Sequence, residues 1–539
     1  MIRKVIENWL ISTKEREYQL PFCQLLSSQG HEILHVSSHG PGEHGKDIVT
    51  IAPDGKPCAY QLKTGDIKTE DWRRYGGEVI ELVKHKIRHP AIEKKRGWHR
   101  SYLVLNGRLT QDVKDSIDMQ NEDYKDVWSH LDIIEFDQLL GGFVEMQGDF
   151  YATELQDTKL FLELLLADGQ EPLPTGRFAE FLLSMLPLEG SPSKTTKTAC
   201  RRAIASSMLM SAYIGQQYAE QANHLAMIDL WITFLAYVLA VADRFALEDK
   251  YWHSTYDLAI MALESAFLDA AEEVGKRSDC IYDLNEGNWV TDFAYLRPRL
   301  LKIAGYLSAF ALYRKIAGTD EWRIPVIDNL LEKYHRLFLV TNDRLCYGEA
   351  AIPQQLAIAW YMESTGRPKD ASGLVVTLMN LILILGNKGG TPNPYYDTEA
   401  YLRHQYGIEP IEETFAKRSY HLRSLVEWLA RRLWRQHITR SWRDISYMHC
   451  CEFVPAEKWG YFLWRCKKGE EQSRFPDQTQ SWAELQKDYP DVEFPKVLLR
   501  HPEFLPLFLV VYPHRLTPAF SWKVDMLLRH GSHGGQVAQ

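Results

Sequence analysis

Cysteine is scarce and unpaired in this chain. Its 8 cysteines stand at positions 23, 58, 200, 280, 346, 450, 451 and 466, with no CxxC pair and no regular spacing. That scatter argues against a disulfide framework and fits a reducing, cytoplasmic setting. His449, Cys450, Cys451 and Cys466 come loosely together in sequence, but without the paired spacing of a structural zinc site. Excess positive charge is also missing. The formal net charge is −9, which excludes a uniformly basic nucleic-acid binder. The N-terminal stretch MIRKVIENWLIS has neither a sustained apolar run nor a small-residue cleavage site, so no signal peptide is expected. Long hydrophobic runs are few. Residues 225–242 contain Asp229, and residues 374–385 contain Asn380 and span only twelve positions. A bilayer-spanning helix needs about 20 apolar residues, so both runs read as buried helices rather than membrane spans. No repeat period emerges that would mark a solenoid.

What is present is a chain able to bury a large core, 45% apolar and 25% charged over 539 residues. Its texture changes near position 150. Before that point helix and strand patterns alternate. Residues 15–29 read as a helix stopped by Gly30. Strands are expected at 31–36, 47–52, 58–63, 101–106 and 131–136. Helices are expected at 69–87, interrupted at Gly76 and Gly77, at 111–119, and from 137 onward. The turn Pro53-Asp54-Gly55-Lys56 makes a hairpin of the second and third strands. The pattern predicts a central mixed sheet flanked by helices on both faces, an α/β or α+β domain. Beyond 150 strand signals nearly vanish, and the sequence predicts a large all-α region. The expected domains are 1–150, 151–390 and 391–539. The Gly- and Pro-containing stretch 386–396 serves as the connector, and a basic helix is expected over 417–437. Residues 531–539 read as a frayed end.

Charge is concentrated locally. Residues 56–108 carry thirteen Lys and Arg against six Asp and Glu, and residues 417–443 carry eight against one. Both segments interleave aromatics, the composition of a phosphate-contacting surface. Trp72, Arg73 and Arg74 represent the first segment, and Arg423, Arg431, Arg432, Trp434 and Arg435 the second. His31, His35, His39 and His44 read mainly as a solvated polar loop.

The chemistry-bearing pattern is the hairpin. Side chains alternate faces along a strand, so Cys58, Tyr60 and Leu62 share one face and Ala59, Gln61 and Lys63 the other. Asp47, at the start of the partner strand, lies about as far from the turn as Lys63, so the two are expected to meet. A carboxylate suits a divalent cation that prefers oxygen ligands. An amide oxygen adds a second donor, and an ammonium neutralises charge that develops on phosphate.

The run GEHGKDIV, a turn, then YQLK resembles the PD-(D/E)xK nuclease fold in its Mrr-like form, with Gln in place of the usual second acid. Tyr18-Gln19, Phe22, Leu25-Leu26 and Gly30-His31 are similar to the first helix of that family. Residues 101–107, 109–117 and 133–140 resemble its later elements. The resemblance covers residues 15–142. It implies a metal-dependent endonuclease with Asp47, Gln61 and Lys63 as catalytic residues. Asp47, Gln61 and the Leu62 backbone carbonyl are the implied ligands of Mg2+, with Mn2+ as the alternative. Where the family often has a Glu, this chain has Gln19. Gln19 itself, Glu17, about 200° around the helix, and Glu43 in the loop before Asp47 are the auxiliary candidates. The implied substrate is DNA ahead of RNA, in a homodimer or larger assembly. The implied role is the effector of a prokaryotic defence against phage or foreign DNA, with the helical region sensing a trigger or binding a partner protein. The reduced set of carboxylates keeps two other readings open, an RNA-cleaving effector and a nuclease fold that has become a non-catalytic binding or scaffold protein.

Overall fold

The computed structural model describes residues 6–7, 10–11, 13–37, 45–89, 91–92, 98–148, 155–189, 195–277, 297–333, 347–387, 393–405, 407–408, 417–466, 469–476 and 479–530. The chain divides into two interleaved units. One comprises residues 1–168, 180–220 and 244–261, and the other residues 169–179, 221–243 and 262–539. This partition differs from the three consecutive domains expected from texture, because helical segments beyond 150 join the N-terminal unit.

In the first unit, helix α1 (Glu15–Ser28) leads into strand β1 (Glu32–Val36), then β2 (Ile48–Ile51) and β3 (Pro57–Lys63). Helix α2 (Thr69–Lys84) carries the chain to β4 (Arg100–Leu105), and α3 (Gln111–Asp123) to β5 (Leu131–Ile134). Helices α4 (Phe136–Gly148) and α5 (Leu155–Leu165) follow. The five strands form one sheet in the order β1-β2-β3-β4-β5. β1, β2 and β3 pair antiparallel and β3, β4 and β5 parallel. The mixed topology follows from connection length. A tight turn can only return the chain antiparallel, whereas a helical crossover permits parallel pairing. Ala52 N–H closes that turn onto the Lys56 carbonyl at 2.8 Å, and Gly55 sits at φ 79°, where glycine carries no Cβ penalty.

Each face of the sheet has its own cover. On one side Val79, Leu82 and Val83 of α2 and Val113 and Ile117 of α3 pack on Ala59, Leu103, Leu105 and Leu131. On the other side Phe22 of α1 meets Tyr60 edge-on at 5.5 Å, and Tyr60 stacks on Tyr102 at 4.9 Å. Gly76 and Gly77 do not interrupt α2. The apolar stripe of Trp72, Tyr75, Val79, Leu82 and Val83 holds the helix to the sheet through both glycines. Two glycine costs of about 1 kcal/mol each are smaller than the burial of that stripe.

Helix α6 (Thr175–Met185) is followed by α7 (Lys197–Glu220). Within the first unit, the Ser206 hydroxyl donates to the Met146 carbonyl at 2.8 Å, and Gly30 lies against the Arg201 side chain. These contacts tie α7 to α4 and to the end of α1, which is why the unit does not close at residue 150.

Among the described residues, the regular structure of the second unit is helical apart from a small sheet. Its helices are α8 (His224–Arg244), α9 (His253–Arg277), which begins in the first unit, α10 (Arg297–Ile316), α11 (Pro325–Lys333), α12 (Ile352–Ser364), α13 (Pro368–Asn387) and α14 (Thr398–Gln405). Strand β6 (Arg418–Ser419) precedes α15 (Leu422–Arg431), α16 (Arg435–Ser446), β7 (His449–Phe453) and β8 (Glu471–Arg474). α17 (Trp482–Leu485), α18 (Lys496–Arg500), α19 (Leu505–Val511) and α20 (Pro518–His530) complete it. The backbones of α10 and α12 approach so closely that a Cβ on Gly305 would lie 2.6 Å from Gln354 Cβ. Asp229, the one acid inside the apolar run of α8, accepts from Tyr306 Oη at 2.5 Å and Lys302 Nζ at 3.1 Å.

Two expectations for this region need correction. The region is not all-α, because β6, β7 and β8 form a three-stranded sheet. The single basic helix over 417–437 is two helices separated by a turn at residues 432–434, where Leu433 takes φ 64°. That left-handed conformation cannot continue a right-handed helix. Helices α8 and α13 are long and apolar enough to cross a membrane, and 89% and 56% of their most apolar windows are buried inside the protein.

Candidate active site

The register of β2 and β3 sets Ile48 opposite Tyr60 and Ile51 opposite Pro57. Extending it by one residue places Asp47 opposite Gln61, with Lys63 two residues further along β3. Asp47 is fixed from several directions. Its N–H donates to the Tyr60 carbonyl at 2.9 Å, and its carbonyl accepts from Ser37 N–H at 2.7 Å. Its carboxylate Oδ2 accepts from Leu62 N–H at 2.6 Å. Leu62 therefore enters the site as a backbone donor to Asp47.

Lys63 is the most constrained cation of the site, with its side chain 10% exposed. Its Nζ lies 2.8 Å from Glu78 Oε2 on α2 and 3.7 Å from Glu15 Oε2 on α1, and 5.3 Å from the centre of the Tyr75 ring. Burial favours the neutral amine. The Glu78 hydrogen bond and the charges of Glu15, Glu78 and Asp47 outweigh it and hold the ammonium above the ordinary lysine value. Tyr18 locks the backbone beneath, donating to the carbonyls of Lys63 at 2.7 Å and Val104 at 3.2 Å. Burial raises the Tyr18 phenol well above its usual range, with help from Glu15 and Asp47, so it is a neutral donor here.

Gln61 is 2% exposed and donates through Nε2 to Glu78 Oε2 at 3.3 Å. Its Oε1 is buried without a hydrogen-bond partner. An orphaned buried acceptor carries a free-energy cost and invites a ligand. Gln19 takes a different part from the auxiliary one expected. Its Nε2 lies 3.3 Å from the Asp47 carbonyl and 3.4 Å from that of Ser37, so it braces the Asp47 backbone as a donor. Glu43 and the side chain of Glu17 lie outside the described residues, as do His39 and His44. His31 bonds to Thr50 at 3.0 Å, and burial lowers its imidazole to about 4, so it is a neutral structural group.

Two acids at the site were not singled out from the sequence, Glu15 and Glu78. A signal existed for the first, because Glu15 precedes Gln19 by four residues and so shares its helix face. Glu78 borders the buried stripe of α2, but only tertiary packing brings that helix to Lys63. Gly45 makes the approach close. At φ 69°, its missing Cβ would lie 2.5 Å from the Glu78 carbonyl.

Asp47, Glu15, Glu78 and the Gln61 oxygen are all oxygen donors, the chemistry Mg2+ prefers. Among the described residues no three His, Cys, Asp or Glu side chains are grouped as a metal cage. Mg2+ is commonly held by one or two carboxylates, water and a substrate phosphate. Asp47 with the unpartnered Gln61 oxygen fits that kind of site. Arg73 and Arg74 are exposed on α2, while Trp72 packs into the core beneath. Arg431 and Arg432 are 7% exposed and engaged with acids, and Arg435 is exposed at the start of α16. Comparison with protein-family models, with curated proteins and with solved structures finds no match to this chain.

Proposed function

We propose that the sheet-containing unit is a Mg2+-dependent endonuclease that hydrolyses phosphodiester bonds, DNA ahead of RNA, with Mn2+ as a substitute metal. The observation that carries this reading is that Asp47 and Gln61 lie opposite each other at the end of the β2–β3 pair, while Glu78 from α2 and Glu15 from α1 flank the ammonium of Lys63 two residues further along. Asp47 and the Gln61 oxygen would hold the metal, with the Leu62 carbonyl as a further ligand from the same strand. Bound there, the metal supplies Lewis-acid polarisation of the phosphate and a water of lowered pKa.

The chain's own groups do the rest. Lys63 stays charged because Glu78 and Glu15 flank it, and a fixed ammonium stabilises negative charge developing on a phosphate oxygen. Tyr18 and Gln19 hold the backbones of Lys63 and Asp47, which keeps the two groups in register. Arg73 and Arg74 face solvent on α2 and suit contact with the phosphate backbone. Cutting both strands of a duplex needs two such sites, so a homodimer or larger assembly is part of the proposal. The helical unit senses a trigger or binds a partner protein, and the whole acts as a cytoplasmic effector of defence against phage or foreign DNA.

Purified protein incubated with supercoiled plasmid and, separately, with total RNA tests this reading. Mg2+-dependent nicking that stops on adding EDTA supports it, and faster loss of RNA than of plasmid shifts the substrate to RNA. One observation favours a second reading. Lys63 already has two carboxylate partners, the arrangement of a structural ion-pair network. A non-catalytic binding or scaffold protein is that second reading, and no metal-dependent cleavage of either substrate selects it.

A further inference from the structure

A pocket in the helical unit combines cations, an aromatic wall and a helix N-terminus. Its volume is about 290 Å3, and its lining includes Lys369, Arg431, Arg432, Trp434 and Arg529, with Glu363 the single carboxylate. That volume lies near the lower end for small-molecule sites, which begin at roughly 300 Å3. Lys369 and Ser372 come from the first turns of α13, a helix of 20 residues, whose N-terminal dipole favours anions.

The four cations fall into two pairs. Arg432 is a fixed frame. It donates to Asp525 Oδ1 at 2.8 Å and to Glu363, and its guanidinium stacks 3.4 Å from the Trp428 ring centre. Arg431 donates through Nε to Asp525 Oδ2 at 2.9 Å. Its Nη2 donates to Ser521 Oγ at 3.3 Å and its buried Nη1 lies 3.8 Å from Glu427, so Arg431 belongs to the fixed frame with Arg432. Asp525, held by both guanidiniums and by Trp360 at 2.7 Å, stays ionised despite complete burial. Lys369 and Arg529 are exposed, and among the described residues neither has an acidic partner. The opening of the pocket is therefore positive, beside arginines held in buried ion pairs.

The turn that splits the expected basic helix points to use of this pocket. Leu433 is 74% exposed in a left-handed conformation, an unfavourable state for a leucine on both counts. It brings Leu433 and Trp434 to the rim. Backbone strain of this kind persists where the surroundings enforce it, and it is concentrated at ligand sites.

We infer that this pocket binds a nucleoside phosphate, its phosphate between Lys369 and Arg529 and its base against Trp434. Guanidinium forks match phosphate oxygens, and an indole face accepts a base by stacking. This inference does not rest on cleavage by the sheet unit.

Calorimetric titration of the full chain with AMP, adenosine and inorganic phosphate tests it, at fixed ionic strength and with EDTA present to silence metal-dependent binding elsewhere. AMP is expected to bind more tightly than either fragment. Lys369→Ala and Arg529→Ala are each expected to weaken it about tenfold, the loss of one charge-assisted hydrogen bond. Both side chains are exposed, so the variants keep their fold, and an Arg440→Ala/Arg443→Ala control on α16 should bind like the parent. AMP binding no better than adenosine or phosphate, equal binding by the Lys369 and Arg529 variants, or tighter binding of a 5′-phosphorylated oligonucleotide than of AMP would overturn the inference.

Discussion

Replacing Gly45 with alanine should loosen α2 from the strand pair that carries Asp47 and Lys63. Two effects add at this position. The residue sits at φ 69°, where an L-residue with a Cβ costs about 1–2 kcal/mol. The added Cβ would also lie 2.5 Å from the Glu78 carbonyl and 3.3 Å from Leu82 N, so either the loop or the helix backbone must move. Gly55 provides the control. Its φ of 79° carries the same strain, but nothing lies within 4 Å of a Cβ built there. Gly55→Ala is expected to cost about 1 kcal/mol, and Gly45→Ala a further 1–3 kcal/mol, the range for overpacking a filled site. Hydrogen exchange of the α2 amides, read by mass spectrometry, separates the two because it measures local opening rather than global unfolding. Faster exchange across residues 75–84 in Gly45→Ala alone is the predicted result. Equal protection of α2 in both variants would refute the claim that this close approach seats Glu78 beside Lys63.

Four further outcomes follow from buried charge and strain. Burial lowers the Lys46 ammonium to about 8, offset only in part by Glu81, so its native form binds a proton less readily than the unfolded chain. Stability should then rise with pH between about 8 and the unfolded lysine value near 10.4, and Lys46→Met should stabilise the protein at pH 7 by about 2 kcal/mol. Lys63 has the opposite sign. Its raised value makes a contribution that is complete below the unfolded lysine value and is lost as pH climbs through the higher folded one. Alkaline denaturation should therefore be later in Lys63→Met than the loss of stability at pH 7 alone implies; parallel curves for both variants in urea titrations from pH 7 to 11 contradict these assignments. In the helical unit, His421 Nδ1 lies 2.5 Å from Glu349 Oε2 while Nε2 lies 2.7 Å from the Pro513 carbonyl, with both side chains 1% exposed. Glu349→Gln takes a buried hydrogen-bonding carboxyl from His421 Nδ1 and Tyr420 N–H and should lower stability by roughly 1–3 kcal/mol, checked by differential scanning calorimetry. Leu433→Gly relieves an exposed left-handed residue and should leave stability unchanged or raise it by about 1 kcal/mol in the same measurement.

Much of the first unit was legible because its signals are local. The Pro53–Lys56 turn fixes a hairpin, and two-residue periodicity puts Gln61 and Lys63 on one face and Tyr60 and Leu62 on the other. α2 and α3 then supply the crossovers that make β4 and β5 parallel to β3. The site was legible only in part. Asp47 faces Gln61 rather than Lys63, because register depends on which residues close the turn and not on equal counting from its ends. Glu78 reaches Lys63 through a loop-to-helix contact that a single glycine permits, which no local pattern encodes. Glu15 was nearer to hand, since a four-residue step links it to Gln19. In the second unit, β6 spans two residues, too short for periodicity to register. Leu433 is a residue type that carries no turn signal, so the break in the basic segment was invisible. Apart from Glu427, the acids that neutralise Arg431 and Arg432 lie far away in sequence, at Glu363 and Asp525.

Asp47 and Lys63 are expected to act as one chemical unit. Rates of supercoiled-plasmid nicking in saturating Mg2+ should be compared for the parent chain, Asp47→Asn, Lys63→Met and the double variant, each first shown to be folded by circular dichroism. The prediction is cleavage by the parent, a fall of at least about 100-fold in each single variant, and no further fall in the double, as expected of groups that act together. Cleavage that persists unchanged in Lys63→Met would contradict the central claim.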